Sequence, residues 1–515
     1  MKKRLIGLFL LSLFLISTAF SLYSCAENKN NKNNSNLSTA VLTDEPGGEY
    51  VRTKVPDGLR FDEDGATEIN FAISESGDND GFHLRSIKLD DPDTTNKVDA
   101  SVFERNKKVE EKLGVEINVL WYGTSNIRTS EVNISLANGD ADYDIICGRQ
   151  FDDVVLCLEG NLADLTQLYD GTQKIDYINF NAQYWSTYYI DAMKCGDAVY
   201  WLTGDLCLRY TGGFYCIFCN SHIYEKYLEA EYGNIYSIVK EGKWTLDLWN
   251  QMTVKAFENL DGKDELTEDD MVGAVLPVWD NTNGMALAAG VNWSSRNDDG
   301  TIKLDFLKDN ANMIEFMTKL KAIIDNGHTI SYIGLESGGN YPKALSALAS
   351  DKACFVPGRL VQAETYLKDM EHDYYILPCP KLNDGQKNYR SSVHDAINLY
   401  AISNTSENKA AAAATLEELA FGSYYEVRPI YYDEALKYMY SRDQGTADMI
   451  DLMGECVYSD FVYIWQFTSY FPDMGGFLRF NAGTKRIASL LEKHTTQWLS
   501  GTEAVQKDIK DLLNE

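Results

Sequence analysis

Between residues 69 and 147 the apolar pattern changes period four times, and that succession limits the fold more than any other feature. Ile69, Phe71 and Ile73 alternate with polar residues and predict a strand. Val98, Val102, Val109 and Leu113 fall on one face of a helix, which Gly114 is placed to stop. Val115, Ile117, Val119 and Trp121 alternate again, a second helix follows, and 143–147 reads as a short buried strand. Strand, helix, strand, helix, strand at this spacing predicts a parallel α/β sheet. Ligands of such sheets meet the loops after the strands' carboxyl ends. Here those loops are Ser74-Glu75-Ser76 and Gly148-Arg149-Gln150.

The same signals return downstream. Met313, Phe316, Met317, Leu320 and Ile324 form a helical stripe that Asn326-Gly327 ends. Residues 272–278, 353–356 and 374–377 read as strands, and 408–421 as an Ala-rich helix. The last stretch, 484–513, reads as helix interrupted near Ser500-Gly501. Two α/β units joined by several crossings suit a chain of 515 residues.

Lys2, Lys3 and Arg4 precede an almost unbroken apolar run, 5–21, and then Leu22-Tyr23-Ser24-Cys25-Ala26. This resembles a bacterial lipoprotein signal: a signal peptide, 1–24, cut before Cys25, which then carries a lipid. An uncleaved anchor is the alternative, because the run nears spanning length. Residues 25–65 are rich in Asn, Lys, Ser, Gly and Asp, cannot build a core, and are expected to form a flexible tether. The expected location is the extracytoplasmic face of the cell membrane, held by lipid.

Net charge is −30. That argues against nucleic acid and anionic lipid surfaces as partners. Of ten cysteines, one is assigned to lipid, and an odd number remains, so a disulfide framework is not the expectation. Cys147, Cys157 and Cys354 lie in apolar runs and are expected to be buried free thiols. Cys216-Ile217-Phe218-Cys219 has the spacing of a zinc half-site, but on a strand its two thiols face opposite ways. No cofactor and no metal site is expected.

Five local patterns then occur in order. Gly242-Lys243-Trp244-Thr245-Leu246-Asp247 is a helix start with Thr245 as N-cap and Asp247 in the first turn. Ahead of it, the apolar run 214–220 leads into Tyr224-Glu225-Lys226. Downstream come Asp373-Tyr374-Tyr375-Ile376-Leu377-Pro378-Cys379-Pro380-Lys381, the helix within 404–420, and Gly501-Thr502-Glu503-Ala504. Together they resemble the extracellular solute-binding proteins of sugar-type ABC importers, over about residues 66–515. The resemblance implies a two-lobe, type II periplasmic-binding-protein-like α/β fold with hinge crossings. It places lobe 1 at 66–219 plus 380–425 and lobe 2 at 220–379 plus 426–515. It also implies a monomer that closes on a small ligand, most simply a carbohydrate, and hands it to separate ABC permease subunits. The chain has no G-x-x-x-x-G-K-[ST] loop, so an ATPase would be another protein.

Two positions depart from the family's pattern. Pro357-Gly358-Arg359 puts Arg359 where relatives often carry Trp, and a guanidinium suits an anionic or heavily hydroxylated ligand. The stretch 259–270 resembles the family's calcium-like loop, but has Lys263 at a ligand position and Asp264 at the turn glycine. Calcium needs an oxygen cage and a sharp turn, so the loop reads as degenerate.

A sugar presents C–H faces ringed by hydroxyls, so its site needs aromatic platforms and polar side chains. The candidates beside strand ends or loops are Glu75, Arg149, Trp201, Trp279, Trp293, Arg359, Asp395 and Trp465. No catalytic residue is assigned. A surface-anchored glycoside hydrolase is the rival reading, and it needs a pair of carboxylates that 77 acidic residues do not single out. No H-E-x-x-H cluster and no G-x-S-x-G elbow is present.

Overall fold

Two separate sheets organise the chain, and most of their strands fall on the apolar runs of the sequence; Thr329–Ser331 and Asn398–Ile402 are additions to those named above. The computed structural model describes residues 53–63, 65–73, 85–87, 96–121, 127–277, 281–308, 310–333, 341–432, 444–482, 484 and 486–514. All belong to the unit Val51–Glu515. Cys25, Glu75, Trp279 and the apolar run 5–21 lie outside them.

The first sheet contains β1 (Thr67–Ile73), β2 (Val115–Trp121) and β3 (Ile145–Arg149). β1 lies between the other two and is parallel to both, with Ile69 opposite Ile117 and Phe71 opposite Ile145. Helix α1 (Lys97–Leu113) connects β1 to β2 and buries Val98, Val102, Val109 and Leu113. Asn96 caps it by accepting the Val98 and Asp99 N–H groups. Gly114 ends it at φ +68°, and its N–H returns to Glu110. A side chain is strained at that φ, so glycine is the fitting residue there. The fourth strand of this sheet, Asn398–Ile402, arrives from far downstream and runs antiparallel to β3.

The second sheet has five strands. β4 (Tyr215–Asn220), β5 (Val272–Leu276), β6 (Thr329–Ser331), β7 (Ala353–Arg359) and β8 (Tyr374–Pro378) stand in the order β8-β4-β7-β5-β6. β5 is parallel to β6 and β7, while β4 is antiparallel to β7 and β8. β4 runs straight into α2 (Ser221–Tyr227), capped by Asn220. Thr245 caps α3 (Leu246–Lys255) through its side chain, with Asp247 in the first turn. Helix α4 (Asn281–Ala288) follows β5 and is buried at every residue. With α5 (Ala311–Ile324), whose buried residues are Met313, Phe316, Met317, Leu320 and Ile323, helices cover the sheet. The strand Asn398–Ile402, here β9, is followed by α6 (Lys409–Gly422).

Asp460 accepts the Tyr463 N–H and so caps the helix α7 (Phe461–Trp465). Three local expectations change. The last helix, α8 (Ile487–Leu512), runs unbroken through Ser500-Gly501. Glycine is kept there because a Cβ on Gly501 would lie 1.7 Å from the Tyr470 carbonyl oxygen. The β3 strand begins and ends two residues later than the 143–147 run. Residues 53–63, inside the expected tether, are docked: Val55 is buried and the Phe61 N–H donates to Leu113 O at 2.7 Å.

Among the described residues nine cysteines are free, eight of them buried. Burial pushes the Cys207 thiol up to about 11 and Cys379 to about 12, so both are neutral and inert near neutral pH. Among the described residues no helix is long and apolar enough to cross a membrane.

Candidate functional site

Among the described residues, three chain segments pass between the sheets and bond to one another. The first crosses at 213–215, the second at 391–397 and the third at 456–459. Phe214 bridges Val393, and Ser391 bridges Val457. Tyr215 N donates to Ser392 O at 3.1 Å and His394 N to Gly213 O at 3.0 Å. Ser391 N donates to Cys456 O and Tyr458 N to Ser391 O, both at 2.8 Å. The hydroxyls of Tyr189 and Tyr463 both donate to Val393 O. Short connections between two sheets, a few residues each, are the usual construction of a hinge.

Strand ends from both sheets meet this hinge. On the first sheet, β3 ends at Arg149, and the Gln150 N–H donates to Ile397 O of the second crossing at 3.0 Å. The Asp153 carboxylate holds the turn: Oδ2 accepts Arg149 N at 2.8 Å and Oδ1 accepts Arg128 N at 3.0 Å. Burial pushes this carboxyl up to about 6, and the two N–H groups only partly offset the effect. Arg149 pairs with Asp152 and lies over the Phe151 ring at 4.7 Å. Gln150 is fully buried, yet neither its amide oxygen nor its amide nitrogen has a hydrogen-bond partner. Buried amides without partners are rare and cost about 1–3 kcal/mol per group.

On the second sheet, α4 leaves β5 with Asn281-Thr282-Asn283 at its start. Asn281 Nδ2 donates to Pro357 O at 3.1 Å, and Asn283 Nδ2 to Gln466 Oε1 at 2.9 Å. The remaining oxygens of these residues, Asn281 Oδ1, Thr282 Oγ1 and Asn283 Oδ1, have no partner. Helix α4 sits tight on the hinge, since a Cβ on Gly284 would lie 2.2 Å from the Tyr215 ring. The Ser392 hydroxyl donates to Gly284 O at 3.3 Å.

Residues 466–467 join the two sides. Gln466 holds Asn283, and the Phe467 ring lies edge-on to Phe151 at 6.1 Å. Phe467 is 47 % exposed although its ring meets Phe151. Beside it the C-terminal helices enclose a concavity of about 470 Å³ that Phe471, Phe477, Phe480 and His494 also line.

The candidates from sequence separate into two sets. Arg149, Arg359 and Asp395 lie at the hinge. Arg359 ends β7 opposite Tyr215, and its guanidinium faces the Tyr341 ring at 5.4 Å. His394 Nδ1 accepts the Ala396 N–H at 3.1 Å, which puts the ring proton on Nε2, 3.6 Å from Asp395 Oδ1. Trp201, Trp293 and Trp465 are interior residues at 1 % exposure or less. Trp201 donates its indole N–H to Val154 O, Trp293 lies edge-on to Phe306, and Trp465 stacks on Phe461 at 4.9 Å. The 259–270 loop is closed by its own lysine: Asp261 Oδ2 accepts Lys263 Nζ at 2.7 Å and the Thr267 hydroxyl at 2.8 Å.

Sequence reasoning did not single out Asn281, Thr282, Asn283, Gln466 or Phe467. For the first three a signal was present, because a run of short polar residues directly after an apolar strand marks the start of a helix at a sheet's carboxyl end.

No family model and no curated protein matches the chain. Solved structures do. A cyclo/maltodextrin-binding protein complexed with maltotetraose superposes with a TM-score of 0.53 at 12 % identity, over 87 % of this chain and 98 % of that one. The chain has the fold of the extracellular solute-binding proteins. A second member of that fold, the extracellular solute-binding protein from Staphylococcus aureus in complex with maltose, gives 0.54 at 11 % identity over 86 % and 100 %. At these identities the likeness is one of architecture. The two mixed sheets match that architecture.

Proposed function

We propose that this chain is the extracytoplasmic substrate-binding component of an ABC importer and captures a carbohydrate by closing two lobes about the hinge. The observation that carries the reading is the set of buried, unpartnered amide and hydroxyl groups of Gln150, Asn281, Thr282 and Asn283 beside the crossings. Such groups gain most from a ligand that brings both donors and acceptors, as sugar hydroxyls do. Phe467 and Phe151 supply apolar ring faces, and Arg149 supplies a planar donor. Lobe 1 is the part built on the four-stranded sheet, about residues 66–213 and 393–432. Lobe 2 is the part built on the five-stranded sheet, about residues 214–392 and 444–457. Closure presents a surface that permease subunits distinguish from the open form. The two structural neighbours hold maltotetraose and maltose, so malto-oligosaccharides are the first ligands to try.

Thermal denaturation with and without sugar tests the reading. A ligand at one hundred times its Kd stabilises the native state by about 2.7 kcal/mol, so a raised Tm is expected with at least one mono- or oligosaccharide. An unchanged Tm across such a panel, or release of cleavage products from a glycan, would overturn it.

The lipid anchor is part of the proposal, supported by the Leu22-Tyr23-Ser24-Cys25 sequence. Cys25→Ala is expected to move the protein from the membrane fraction to the soluble fraction of lysed cells. Unchanged membrane retention would remove the lipid from the reading.

A further inference from the structure

The five-stranded sheet has a second rim, away from the hinge. The register sets Asn220, the last residue of β4, opposite Tyr374 at the start of β8. On the other flank β7 begins at Ala353. Three metal-type donors meet here: His222 in the first turn of α2, Asp351 in the turn before β7, and His372 just ahead of β8. One donor atom of each lies within 4.8 Å of the other two, the single such group of three among the described residues.

The arrangement is held from behind. His372 Nδ1 is 2.8 Å from Asp351 Oδ2. Asp351 Oδ1 accepts the Asn220 side-chain amide at 2.6 Å, and that amide also donates to Leu348 O at 3.0 Å. Asp351 takes φ +57°, a conformation that non-glycine residues seldom adopt. The His222 and His372 rings stack at 4.4 Å with 11° between their planes. Two imidazoles and a carboxylate from three segments thus converge, with the carboxylate oriented by an amide.

We propose that His222, Asp351 and His372 form a binding site for a divalent transition metal, zinc foremost, with solvent at the fourth position. Imidazole nitrogen suits zinc and its neighbours, whereas calcium and magnesium demand oxygen cages. Ligands on one tetrahedral zinc stand roughly 3.3 Å apart. The donors reach that spacing by rotation of the exposed His222 side chain. The Asn220 amide is the outer-shell support that metal-binding carboxylates usually have. This rim is distinct from the sugar site: Asp351 is eight residues from Arg359 along β7 and the turn before it, roughly 25 Å at strand rise. A bound ion ties the start of α2 to the starts of β7 and β8, and so stabilises the second sheet by mass action.

The test is calorimetric titration of the purified full chain, stripped with a chelator, with zinc, calcium and magnesium chlorides. One equivalent of zinc is expected to bind and to raise the Tm, with calcium and magnesium doing neither. His222→Ala with His372→Ala, at two surface positions, is expected to weaken zinc by at least about tenfold and to leave sugar binding unchanged. Equal zinc affinity in that double variant places the ion elsewhere and overturns the proposal. So does the absence of zinc binding in the parent chain, or calcium binding as tight as zinc. Absence of sugar binding in the parent chain, with zinc still bound, would count against the carbohydrate reading alone.

Discussion

Gly501→Ala is expected to destabilise the protein by about 3 kcal/mol, the upper part of the range for overpacking a filled site. Helix propensity alone gives the opposite sign, since alanine is favoured over glycine by about 1 kcal/mol inside a helix. Geometry decides between them. The Cβ would stand 1.7 Å from Tyr470 O and 2.8 Å from its carbonyl carbon. Backbone on the far side has no rotamer with which to retreat. The segment that carries Tyr470 is itself fixed, because Trp498 donates its indole N–H to Pro472 O at 3.0 Å. Either α8 or this segment must therefore shift. Urea denaturation of the two proteins measures the difference, and an equal or raised midpoint for the variant would show that the two backbones do not approach so closely.

Gln150→Leu is expected to move stability and binding in opposite directions. Leucine fills a similar volume and removes two buried polar groups that have no partner. The sugar-free protein is therefore expected to gain about 1–3 kcal/mol. Sugar affinity is expected to fall by about tenfold to a hundredfold, because the groups that matched ligand hydroxyls are gone. This trade is the signature of a side chain kept for a ligand rather than for the fold. Thermal melting without sugar and calorimetry with it give the two numbers. A variant that is less stable and binds equally well would make Gln150 a structural residue.

Much of the fold is legible along the chain because its signals are local. The alternation of Ile69, Phe71 and Ile73, the stripe from Val98 to Leu113 and the Gly114 stop each depend on neighbours within one or two turns. Thr245 could be read as a cap for the same reason, since its bond reaches only to Leu248. Where local signals compete with distant packing, sequence reading stops short. Ser500-Gly501 looks like a break, and it is instead the point where another segment touches a continuous helix. Phe461 to Ile464 is an apolar run without a period of its own, and Asp460 caps it as a helix whose end leaves Phe467 at the surface.

The candidate site divides along the same line. The order of strands and helices is enough to point to the loops after β1 and β3, so Arg149 and its neighbours were within reach of the sequence. Trp201, Trp293 and Trp465 were indistinguishable from ligand platforms by composition, and only their packing, against Val154, Phe306 and Phe461 among others, makes them interior. The sequence by itself determined the α/β class, the parallel start of the first sheet, the caps and the buried thiols, all of which rest on periodicity and side-chain chemistry. The tertiary structure alone decided which strand ends share a hinge and which polar groups are left without partners. It also decided that His222, Asp351 and His372 stand together. The physical reason is that hydrogen-bond satisfaction and burial depend on contacts between different segments of the chain, such as Asn283 with Gln466 and His222 with Asp351, and no local pattern encodes those.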